Sequence, residues 1–103
     1  MNGNGKKNGR GHHRVQKRHW IDTKYCVDVF LVDASGMKEL GDDNEDEPFA
    51  ASGLWLSKFD ERPCIGHVYI LATLSLAEKW KTWRHELVHV LNDFNNAKDE
   101  RIL

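Results

Sequence analysis

His85-Glu86-Leu87-Val88-His89 places two imidazoles four positions apart, with a carboxylate directly after the first. On an α-helix, side chains at i and i+4 point the same way, so the two rings can share one metal ion in the HExxH arrangement. His85 and His89 are therefore candidate zinc ligands. Glu86 is the candidate general base, because a carboxylate on the flank of such a site can take a proton from a metal-bound water whose pKa the ion lowers to about 7. Peptide-bond hydrolysis is a reaction that needs such a nucleophile.

The elements that position this group can be read from the flanking residues. Ser75-Leu76-Ala77-Glu78 fits a capping box, in which a serine oxygen and a glutamate three residues later satisfy the first free amides of a helix. Leu76, Trp80, Trp83, Leu87, Leu91 and Phe94 then recur at spacings of three and four, which predicts one apolar stripe. Measured from Leu76 on a helical wheel, His85 and His89 fall at about 180° and 220° and Glu86 at about 280°, away from that stripe and toward a cleft. Asn95 and Asn96 tolerate left-handed backbone and predict the helix end, with a short last element over 97–103 folding back. Trp80 and Trp83 are read as core.

Upstream, residues 25–33 (YCVDVFLVD) and 65–73 (IGHVYILAT) are rich in β-branched and aromatic residues and predict strands, with a shorter one over 51–57. Residues 33–36 supply turn chemistry. Strict alternation puts Cys64, Gly66, Val68 and Ile70 on one face of the third strand and Ile65, His67, Tyr69 and Leu71 on the other. His67 is a candidate for supporting an oxyanion, with Tyr69 beside it, although the reading as an ordinary strand histidine carries more weight.

The chain has 103 residues, 40% of them hydrophobic and four of them Trp, enough for one domain with a core and too few for two. Fifteen Lys and Arg nearly cancel sixteen Asp and Glu, which argues against a simple nucleic-acid-binding or membrane protein. The charges are segregated. Residues 1–19 carry Lys6, Lys7, Arg10, Arg14, Lys17 and Arg18 without an acid, and are read as a disordered basic tail capable of weak nucleic-acid contact. Residues 20–103 form the domain. Residues 39–48, with Glu39, Asp42, Asp43, Glu45, Asp46 and Glu47, read as a solvated acidic loop. No apolar run is long enough to span a membrane, and no signal-type central run follows the first charges. Cys26 and Cys64 are too few for a disulfide framework and are read as thiols in a reducing, cytoplasmic setting.

The stretch from Ile65 to Asp93, an apolar strand (VYILAT), a Leu-Ser-Leu-Ala-Glu helix start, a Thr-Trp-Arg lead-in and then HELVHVLND, resembles the zincin metallopeptidases. The resemblance is nearest to the small ImmA/IrrE-like and SprT-like proteins of bacteria and their phages, which would place a phage-encoded chain in the host cytoplasm. It covers about 30 residues, and by it His85 and His89 match the zinc ligands and Glu86 the base. It implies an α+β fold: a three- or four-stranded twisted sheet packed on one long HExxH helix, with a short C-terminal helix. It further implies an edge strand that pairs with an extended peptide or protein substrate. The metzincin extension is absent, so the third ligand is sought among the later acids. Glu100 is the first choice if a turn at Asn95 and Asn96 brings it back, with Asp93, Asp99 and Cys64 as alternatives. The expected function is that of a minimal zinc-dependent metallopeptidase. The alternative is a non-catalytic zinc-binding or interaction protein.

Overall fold

The computed structural model describes residues 15–40 and 52–103. Residues 1–14 of the expected tail and residues 41–48 of the expected acidic loop lie outside the described residues. The order of elements is β1 (Val15–Trp20), β2 (Cys26–Val32), α1 (Ala34–Leu40), β3 (Gly53–Ser57), β4 (Cys64–Leu71) and α2 (Leu76–Asp99). They form a small α+β domain: a four-stranded mixed sheet in the order β1-β2-β4-β3 with a helix on each face. β1 pairs antiparallel with β2, β2 parallel with β4, and β3 antiparallel with β4. No helix among the described residues is long and apolar enough to cross a membrane.

The strands form where β-branched and aromatic residues cluster, and two cores result. Val27, Val29, Ile65, Val68 and Ile70 meet Trp83, Val90 and Phe94 of α2 on one face. Phe30, Val32 and Tyr69 meet Met37 of α1 on the other. α1 occupies residues expected as a turn. Asp33 Oδ1 accepts from the Gly36 amide at 2.7 Å and from Ser35 Oγ at 3.2 Å, and Met37, 2% exposed, anchors the resulting short helix.

Residues 15–19, expected as part of the tail, instead belong to β1. Its polar sequence hides it, because an edge strand held by backbone pairing needs no buried face. The Arg18 guanidinium also reaches across to Asp28, with Nε 2.9 Å from Oδ1 and Nη2 3.3 Å from Oδ2, and partners an acid that is 7% exposed in the middle of β2.

A bulge breaks the expected alternation in β4. Between the pairs Cys26↔Cys64 and Asp28↔His67, β4 carries one residue more than β2, so Ile65 and Val68 share the α2 face. Gly66 sits in that irregular stretch. A Cβ built there would overlap the Trp55 ring and lie 2.6 Å from the Leu56 carbonyl oxygen. Trp55 cannot swing aside, because its indole N–H donates to Asp93 Oδ2 at 2.7 Å. Gly66→Ala is expected to destabilise the domain by about 2–3 kcal/mol through overpacking against backbone, and a thermal midpoint equal to wild type would refute this.

Candidate functional site

α2 starts where expected. Ser75 Oγ accepts from the Glu78 amide at 3.2 Å and Glu78 Oε1 accepts from the Ser75 amide at 3.5 Å, completing both halves of the capping box. The helix does not stop at Asn95 and Asn96. It runs unbroken for 24 residues to Asp99, and Arg101 takes the left-handed backbone instead, at φ 61°. The short C-terminal helix does not form, because the last turn is held down by Ala97, 2% exposed, and by amides 102 and 103 bonded to its carbonyl.

The buried stripe also differs from the apolar one. Trp83, Glu86, Val90, Phe94 and Ala97 are buried, whereas Leu76, Trp80 and Leu91 are 70%, 54% and 40% exposed. The contact face is thus rotated by roughly 60° toward Glu86. The cause lies outside the helix: α2 sits over β3 and β4, and Gly53 at the start of β3 lets the strand approach closely. A Cβ at Gly53 would lie 2.5 Å from Thr82 Cγ2 and 3.0 Å from both Cγ and Oε2 of Glu86. Sequence reasoning did not single out Gly53 or Thr82. A glycine inside the strand expected over 51–57 was the available signal.

His85 and His89 lie side by side on the exposed flank of α2, with Nε2 atoms 3.2 Å apart and rings edge-to-face. Glu86 is 7% exposed, and burial pushes its carboxyl above the usual range while the neighbouring imidazoles pull it back. His85 and Glu86 open onto a cleft of about 490 Å³ that Ser52, Gly53, Leu74, Glu78 and Lys81 also line. A buried carboxyl beside two paired imidazoles is therefore present.

The proposed third ligands are elsewhere. Because α2 continues past the expected turn, Glu100 lies about 16 Å beyond His89 along the axis. It lines a separate depression with Ser57, Phe59 and Asp93. Asp93 is engaged by the Trp55 indole, Asp99 ends the helix on an exposed face, and Cys64 is bonded to Cys26 as a disulfide. The cysteines are thus not the free thiols expected, and the premise for a cytoplasmic location goes with them. Adjacent pairing of β2 and β4 brings their Cα atoms to 4.4 Å, a closeness that 38 residues of separation conceal. Cys64 Sγ also lies 3.3 Å from Asp28 Oδ1.

His67 and Tyr69 do not face the cleft. Regular alternation beyond the bulge places them on the α1 side of the sheet, where His67 Nδ1 and the Tyr69 hydroxyl are 3.0 Å apart and Phe30 stacks on Tyr69. Burial, then Lys58, lowers the His67 pKa from its ordinary value against Asp28 and Glu61, and burial followed by Lys17 lowers that of His19. Each therefore takes up its proton more readily in the unfolded chain. Their contribution to stability is complete above the unfolded value of about 6.5 and is lost as pH falls through the lower folded values. The thermal midpoint of wild type is expected to fall from pH 7.5 to 5.5 by more than that of a His19→Gln, His67→Gln variant. Parallel curves would refute it.

Comparison with protein-family models, with curated proteins and with solved structures finds no match to this chain. The resemblance to the zincin metallopeptidases is overturned. Among the described residues no three His, Cys, Asp or Glu side chains gather to hold a metal, and the Cys64 alternative is consumed by a disulfide. What the chain has in place of that family's fold is the small α+β domain described above.

Proposed function

We propose that His85 and His89 hold a zinc ion and that Glu86 serves as the base for hydrolysis of a peptide bond in a peptide or protein entering the adjacent cleft. The observation that supports this most is the 3.2 Å separation of the two Nε2 atoms. Two Zn–N bonds of about 2.0–2.1 Å at a tetrahedral angle require their nitrogens to be about 3.3 Å apart, which the spacing of this pair matches. Bound there, zinc would supply a water of lowered pKa and two further coordination positions. Glu86 would take that water's proton and return it to the leaving amine, a role suited to a carboxyl whose proton affinity burial has raised. Gly53 leaves the room that its side chain occupies, since a Cβ there would lie 3.0 Å from both Cγ and Oε2 of Glu86.

A second reading is favoured by the two-imidazole ligand set: a zinc-binding or interaction protein that cleaves nothing. Metal content of purified chain, measured by elemental mass spectrometry on wild type and on a His85→Ala, His89→Ala variant, tests what both share. About one zinc per chain, lost in the variant, is expected. Wild type that takes up no zinc on addition overturns the metal site in both readings.

A further inference from the structure

His85 and His89 make half of a closed zinc site. Structural zinc is held by four side chains and catalytic zinc by three with one position open, whereas this chain brings two together. Among the described residues no group of three His, Cys, Asp or Glu side chains forms, so nothing else in the chain joins the pair. Both histidines are exposed on α2, and so are Val88 and Asn92 next to them, which leaves the open side of the pair accessible to another molecule.

We propose that a second copy of this chain supplies the missing ligands, so that one zinc ion joins two chains through His85 and His89 of each. The inference rests on the zinc reading above and names the partner that completes the site. In a tetrahedral site every two nitrogens are about 3.3 Å apart, and the Nε2 atoms at 3.2 Å span one edge. A copy related by a two-fold axis through the ion presents the same pair along the opposite edge, and the ligand set is then complete. Opposite edges of a tetrahedron are perpendicular, and a pair four residues apart lies roughly along its helix, so the two helices cross steeply and touch around the histidines. Charge permits that approach: Val88 and Asn92 are uncharged, and Glu78 and Lys81 on the same flank are of opposite sign. With four imidazoles bound no position is left for water, so hydrolysis belongs to the form with one zinc per chain, which is reached when zinc exceeds chain.

The test is sedimentation of the full chain at about 0.1 mM with zinc sulfate added to one ion for every two chains, read beside the zinc bound per chain. The mass is expected to double from 11.9 kDa, and EDTA to return it to the monomer. His85→Ala with His89→Ala should stay monomeric with and without zinc, at a metal-free thermal midpoint equal to that of wild type. A wild type that binds zinc and remains a monomer would overturn the bridge and leave the metal reading standing. A chain that binds no zinc would overturn that reading and the bridge with it. A dimer that forms without zinc, persists in the double variant or holds one zinc on each chain would place the contact elsewhere and overturn the shared site.

Discussion

Removing the Cys26–Cys64 disulfide, by reduction or as Cys26→Ala with Cys64→Ala, is expected to lower stability by about 4 kcal/mol, since the link closes a 38-residue loop that the unfolded chain would otherwise leave free. For a domain of 103 residues that is a large share of the total, because marginal stability is the rule at this size. The bond joins neighbouring positions on β2 and β4, the parallel pair at the centre of the sheet, whose approach in sequence depends on the whole return through α1 and β3. Parallel pairing of distant segments is where closing a loop costs most, so the crosslink acts where it is needed. Urea unfolding with and without a reducing agent reads the effect as a lower midpoint, with a slope that rises as the freed unfolded chain exposes more surface. Coincident curves would sink the expectation.

Glu86→Gln is expected to reduce hydrolysis by about 100-fold or more while zinc stays bound, because the amide keeps the shape of the side chain and cannot accept a proton. The variant should fold at least as well as wild type. Burial penalises the ionised carboxylate, and a neutral amide beside Gly53 escapes that penalty. Turnover of a quenched peptide library, read beside metal content and thermal midpoint, separates the two readings of the site. A Gln variant as active as wild type removes Glu86 from the chemistry. A zinc-loaded wild type that turns over no peptide in the library favours the non-catalytic reading.

The parts of the site that sequence could supply are those fixed by a single helix. His85 and His89 meet because four residues make just over one helical turn, and that holds in any fold that keeps the helix. Glu100 was misplaced for a related reason: Asn95 and Asn96 were allowed to end the helix on local preference, and burial of Phe94 and Ala97 against the sheet carried it through them. Ile65 shares a face with Val68 and not with His67, because one extra residue in β4 undoes strict alternation there.

The sequence by itself determined the start of α2, the positions of three of the four strands and the facing of the two imidazoles, because each depends on hydrogen bonds or periodicities spanning a few residues. Tertiary structure alone decided which face of α2 is buried, the strand made by residues 15–20, the disulfide, and the separation of Glu100 from the histidines. Those outcomes depend on where distant segments come to lie: on a glycine that lets β3 press against Glu86, and on a parallel pairing that brings Cys26 beside Cys64. Contacts between elements far apart in the chain leave no periodic trace in either partner, so composition and spacing could not reveal them.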